Sequence, residues 1–284
     1  MTSHHDVAER RHRVATPDGV GLAVVEVGAA GAPAVVVAHG VGSSARFVLA
    51  AFAGPVLAGG RRLVAFDQRG HGASDPVREP ARHTLDHHAR DLAAVVSAHG
   101  GDEPAPVIMG VSLGGHAAVR AVARHGLAVA GVVACLPAWT GRASAGEGPH
   151  AAVADEVRAT GIGGMVARLR ADTSMPTWLR ATLVTDYPRH DPDSLAAALV
   201  ALDGGEAPSL DEVASLPVPV GVVGWPDDPG HPLDVARAWA AAADGTLITI
   251  DLGDLDHGLD RLGRAALDAG ASAGALGQDR LGDA

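Results

Sequence analysis

With 284 residues, 47% of them hydrophobic, the chain can bury one large α/β domain carrying an insertion, or two small domains. Its formal charge of -11 disfavours nucleic acid as a partner, since phosphate binding needs a concentrated basic face. All 22 basic residues are arginine, which excludes Schiff-base and Walker-type phosphate chemistry built on a lysine amine, and the single cysteine excludes an internal disulfide.

In chain order, residues 1–13 are charged and histidine-bearing without an apolar centre, so neither a secretory signal nor a membrane anchor is expected, and a cytoplasmic location follows. Short apolar, β-branched runs at 21–27, 34–39, 62–66, 106–110, 131–136, 218–224 and 246–252 read as buried strands. Amphipathic patterns at 47–58, 85–99, 116–125 and 234–243 read as the intervening helices. This alternation predicts a mostly parallel central sheet flanked by helices. It breaks between 137 and about 215, where helical stretches at 151–160, 164–171, 177–186 and 193–202 succeed one another between prolines. The expected organisation is therefore a core of 1–136 and 216–284, with a helical cap over 137–215 covering the carboxyl ends of the strands. The tail from residue 265 is rich in Ala, Gly and Asp and is expected to fray at its end.

Gly110-Val111-Ser112-Leu113-Gly114-Gly115 lies between a strand and a helix pattern, which makes Ser112 a candidate nucleophile on a strained strand-to-helix corner. A serine hydroxyl needs a base within hydrogen-bond reach and a third group to orient that base. Trp225-Pro226-Asp227-Asp228-Pro229-Gly230-His231-Pro232 follows one later strand, and Gly253-Asp254-Leu255-Asp256-His257-Gly258 follows the next. The order is Ser, Asp, His. With each residue beyond a separate strand, the chain resembles the α/β-hydrolase family over nearly its whole length. His39-Gly40 resembles that family's oxyanion-loop motif, and Asp67-Gln68-Arg69-Gly70-His71-Gly72-Ala73-Ser74 resembles its D-x-R-G-x-G-x-S loop. The resemblance implies an α/β-hydrolase fold whose cap is inserted after the family's sixth strand, here 131–136.

It further implies Asp228, rather than Asp227, as the acid, and His257 as the base, because His231 stands too near Asp228. Backbone N–H groups of Val41 and Leu113 are the implied oxyanion donors. His39, Asp67 and Arg69 read as structural, His116 as a packed helix residue, and His83, His87 and His88 as a solvated helix face rather than a metal site. Cys135 reads as a buried thiol. No metal and no cofactor are expected. Trp139, Trp178 and Met165 are tentative lining of an apolar pocket, while the cap arginines Arg142, Arg158 and Arg168 are expected mostly to face solvent.

The implied activity is serine hydrolysis of a carboxylic ester or lactone of a small-to-medium molecule through an acyl-enzyme. Cleavage of β-diketone C–C bonds, acyl transfer, or non-catalytic ligand binding are the alternatives. The expected partner is a small-molecule substrate, with no nucleic acid and no membrane, and homo-oligomerisation is left open.

Overall fold

The computed structural model describes residues 9–99, 104–141, 149–226 and 228–276. Eight strands form one sheet: β1 (Glu9–Ala15), β2 (Gly21–Val27), β3 (Ala34–Ala38), β4 (Arg62–Phe66), β5 (Val107–Val111), β6 (Gly131–Cys135), β7 (Val220–Gly224) and β8 (Thr246–Thr249). Their spatial order is β1-β2-β4-β3-β5-β6-β7-β8. β1 and β2 are antiparallel, and β2 also runs antiparallel to β4. Every pairing from β4 to β8 is parallel. Every residue of β3 to β7 is buried, which is why the sequence shows continuous apolar runs there instead of alternation.

The helices are α1 (Ala45–Ala58), α2 (Leu85–His99), α3 (Leu113–His125), α4 (Pro149–Ala171), α5 (Thr177–Asp186), α6 (Pro192–Asp203), α7 (Leu210–Ala214), α8 (Leu233–Ala242) and α9 (Asp260–Ala273). Residues of α1 and α9 build the apolar cluster on one face of the sheet, and residues of α2, α3 and α8 build the other. The chain leaves β3 for β4 on one side and returns to β5 on the other. The C-terminal ends of β3 and β5 thus form a topological switch point, where open α/β sheets bind ligands.

Among the described residues, helices α4 to α7 and no strand lie between β6 and β7, in keeping with the break in alternation. α4 turns at Gly161 (φ 67°), a left-handed conformation that costs glycine little, so it holds the two helical stretches read from the sequence. α4 and α6, with the turn after α5, share a small core of their own around Met165, Leu169, Tyr187, Leu195 and Leu199. α7 differs. Its Val213 belongs to the cluster beneath the sheet, and its Glu212 pairs with Arg120 and Arg124 of α3, so it packs with the core and not with the cap.

The structure adds elements near both termini. Residues 9–13, charged and without an apolar period, belong to edge strand β1, whose charges protect an open sheet edge. α9 extends into the Ala- and Gly-rich tail as far as Ala273, with Ala265, Ala266 and Ala269 buried, because small side chains let the helix approach the sheet closely. Residues 277–284 lie outside the described residues. Among the described residues, no helix is long and apolar enough to cross a membrane.

Candidate active site

Ser112 sits between β5 and α3 with φ 51° and ψ -117°, an uncommon conformation for a residue carrying a side chain. The glycines around it explain how such a corner can be built. A Cβ on Gly110 would lie 2.1 Å from the Gly114 carbonyl carbon, and one on Gly114 would lie 2.3 Å from the Ala38 oxygen. Only hydrogen fits at either position. The Ser112 amide donates to Cys135 O at 2.8 Å, tying the corner to β6.

The ring that meets Ser112 is His231. Its Nε2 lies 3.0 Å from Ser112 Oγ, and its Nδ1 lies 2.7 Å from Asp228 Oδ2. This corrects the expectation of His257, which stands exposed at the end of a 3-10 turn over Leu252–His257. Proximity in sequence does not disqualify His231. Asp228-Pro229-Gly230-His231 closes a turn, with the His231 amide donating to Asp228 O at 3.2 Å, so side chains three residues apart face each other. The Asp228 assignment, in contrast, coincides with the geometry, whereas Asp227 lies outside the described residues.

Asp228 is fixed by two further donors. Trp225 Nε1–H donates to Oδ2 at 2.9 Å, and the Gly230 amide donates to Oδ1 at 2.8 Å. Burial alone would raise the pKa of the carboxyl group, but the bonds from His231, Trp225 and Gly230 outweigh it and hold the pKa at about 2. A carboxylate can only accept, so the proton on the bonded face of His231 lies on Nδ1, leaving Nε2 to accept from Ser112.

The loop after β3 passes beside the serine: a Cβ on Gly40 would lie 3.4 Å from Ser112 Cβ. Leu113 opens α3, where the first amides have no intrahelical acceptor. Val41 lines the same space. The loop is clamped from two directions. His39 donates from Nδ1 to Gly40 O at 2.7 Å and accepts the Gln68 amide on Nε2. Gly42 (φ 73°) donates to His71 Nε2 at 3.1 Å and accepts from His190 Nε2 at 3.1 Å, while His190 Nδ1 accepts the Gly72 amide. Each of these buried rings uses one nitrogen as donor and the other as acceptor, so each is neutral. Burial drives the pKa of His39 and His190 down to about 3 and lowers that of His71. His190 belongs to the connection between α5 and α6, so the inserted helices hold the loop that carries Val41.

Asp67 and Arg69 take structural places. Asp67 accepts the amides of Ala45 and Ala73, and buried Arg69 bonds through its fork to Asp91 and Asp18. His116 is fully buried, accepts the Ala138 amide and has a pKa lowered by burial to about 3. The solvated-face reading is corrected for two of the three histidines. His83, just before α2, and His88 are buried, with His88 Nδ1 2.9 Å from Gln68 Oε1 and His83 Nε2 2.7 Å from Val77 O, whereas His87 is half-buried and meets Thr84 Oγ1 at 2.7 Å. Cys135 is buried, and burial raises its thiol pKa to about 12.

A cavity of about 440 Å³ opens over Ser112 and is lined by Phe47, Leu136, Trp178, Leu179, Leu183 and Trp225, among others. Trp178 lines it as expected. The other two tentative residues do not: Met165 is buried in the cap's own core, and Trp139 packs against His116 with ring centroids 5.0 Å apart. A hollow of about 740 Å³ between β1 and α2 touches none of Ser112, Asp228 or His231. Among the described residues, His12, Glu26 and His99 form one group with metal-ligand atoms close together, but Glu26 is already engaged by Arg10 and Arg62. Positive charge there opposes a cation.

Residues 35–265 match the model of the alpha/beta hydrolase family, and the chain belongs to that family. A search of curated proteins finds no match. Among solved structures the chain is similar to the enol-lactonase from Burkholderia xenovorans LB400, with 19% identity, a TM-score of 0.72 and coverage of 90% of this chain and 98% of that one. It is similar to the esterase RhEst1 from Rhodococcus sp. ECU1013, with 22% identity, a TM-score of 0.69 and coverage of 94% and 99%. It is also similar to the bottromycin epimerase BotH, with 22% identity, a TM-score of 0.65 and coverage of 94% and 99%. Likeness at these identities is likeness of fold.

Proposed function

We propose that the protein is a serine hydrolase that cleaves a carboxylic ester or lactone of a small-to-medium, largely apolar molecule. The observation that carries this reading is the chain of contacts from Ser112 Oγ through His231 to Asp228, at 3.0 and 2.7 Å. In the proposed mechanism His231 Nε2 takes the Ser112 proton as Oγ attacks the carbonyl carbon. Asp228 holds the ring in one tautomer and offsets its positive charge. The amides of Val41 and Leu113 receive the oxyanion, and the imidazolium returns its proton to the departing alkoxide. Water, deprotonated by the same ring, then releases the acid from Ser112.

The lining of the cavity supports an apolar acyl or alcohol portion, and no arginine lines it among the described residues. Arg158 and Arg168 pair with Asp155 and Glu156 on the cap, and Arg142 lies outside the described residues. Cleavage of C–C bonds in β-diketones and acyl transfer use the same three groups, and product analysis separates them from ester hydrolysis. Retention of all three side chains argues against a binding-only member of the fold. Replacing Ser112 with Ala is expected to abolish p-nitrophenyl ester turnover while leaving the melting curve in place. Turnover at the wild-type rate would overturn the assignment.

A further inference from the structure

The cavity over Ser112 carries a second imidazole–carboxylate pair. His150, in the first turn of α4, lines it, and His150 Nδ1 lies 2.6 Å from Asp203 Oδ1. The other carboxylate oxygen accepts the Ala151 amide at 2.6 Å, so both oxygens of Asp203, whose side chain is 10% exposed, are engaged. The pair repeats the arrangement of Asp228 and His231. Because the carboxylate can only accept, the proton of the neutral ring lies on Nδ1 and the lone pair on Nε2. Among the described residues no group bonds to that nitrogen. Apart from Asp228 and His231, His150 is the only ionisable side chain among the described residues lining this cavity.

Outside Ser112, the hydroxyl-bearing side chains of the lining are Ser43, Ser174 and Thr182, whose hydroxyls donate to Asp186, Asp172 and Trp178 O. The unengaged ring nitrogen discriminates between ligands, since a ligand with a donor gains a hydrogen bond there and one without leaves the nitrogen desolvated. We propose that the His150–Asp203 pair recognises a hydrogen-bond donor, a hydroxyl or amide N–H, on the substrate. The preferred ester then has an apolar body and one such donor away from the scissile bond. This proposal rests on the hydrolase reading of Ser112 and deepens it. Asp203 is a positioning residue in it, holding the ring that touches substrate.

The test uses matched ester pairs that differ by one hydroxyl: p-nitrophenyl hexanoate with 6-hydroxyhexanoate, and hexyl acetate with 6-hydroxyhexyl acetate. The wild-type protein should favour the hydroxylated member of at least one pair by about tenfold in kcat/KM. His150→Phe should bring that ratio to about one, and His150→Gln, which keeps a carbonyl acceptor, should retain part of it. The ratio is internal to each variant, so partial unfolding cancels. Absence of preference in both pairs, or a preference that survives in His150→Phe, overturns the proposal. Calorimetric binding of methyl hexanoate and methyl 6-hydroxyhexanoate to Ser112→Ala measures the same preference without turnover. A preference seen there alongside an inert wild-type protein would keep the recognition point and remove the hydrolase reading; equal binding of the two esters would remove the recognition point itself.

Discussion

The segments that follow β7 and β8 start from similar material, each pairing acidic residues with a histidine, yet they do different work. After β7, four residues bring Asp228 and His231 into contact and aim the ring at Ser112. After β8, the 3-10 turn leaves His257 exposed, and its neighbours anchor the cap: Asp256 Oδ1 accepts the Trp178 amide near the start of α5, and Leu252 O accepts the Trp178 indole N–H. One loop carries the proposed proton transfer; the other holds the wall of the cavity. A histidine's place on the fold's map therefore counts for less than the partners that fix its ring.

The largest effect expected from this contrast is at the acid. Asp228→Asn removes the group that sets the tautomer of His231 and should lower kcat by about four orders of magnitude, whereas Asp254→Asn, in the segment after β8, should change it less than twofold. Steady-state kinetics on one chromogenic ester decide between equal and unequal losses.

Acid stability contrasts the exposed histidine with the buried ones. The pKa values of His39, His116 and His190 are held near 3 by burial, whereas in the unfolded chain these rings take up protons from about 6.5. Their contribution is therefore fully present above about pH 6.5 and is lost as pH falls towards 3, at roughly 1 kcal/mol per pH unit for each ring. Melting temperature should drop steadily from pH 6.5 to 4. A flat profile across that range would mean that these rings are not neutral in the fold.

Two smaller effects sharpen the picture of how the site is held. His190→Ala removes the donor to Gly42 O and should lower kcat about thirtyfold with little change in KM, less than the 10²–10³ expected when an oxyanion donor is lost outright. Trp225→Phe removes one of three donors to Asp228 and should cost about tenfold in kcat, with the pKa of the carboxyl group rising. A loss confined to KM in either variant would assign the residue to substrate binding instead.

Much of this site is legible in the sequence. Ser112 was marked by Gly110 and Gly114, whose missing side chains prove sterically necessary, and the continuous apolar runs marked the strands that converge on it. Asp228 followed from its place before Pro232. The base was not legible, because separation along the chain says nothing about whether a Pro229-Gly230 turn folds an i,i+3 pair together. Strand β1 is not legible because a charged edge strand has no apolar period, nor is α9, because an alanine- and glycine-rich helix resembles a loose tail. Met165 illustrates a different limit: an apolar residue on a cap helix suits the cap's own core as well as its cavity, and only packing distinguishes them.

The most direct test of the account is the rate at which a fluorophosphonate labels Ser112, followed by intact mass, in wild-type protein, His231→Ala and His257→Ala. The account predicts wild-type labelling in His257→Ala and a loss of at least a thousandfold in His231→Ala. Rapid labelling of His231→Ala together with an inert His257→Ala would contradict it.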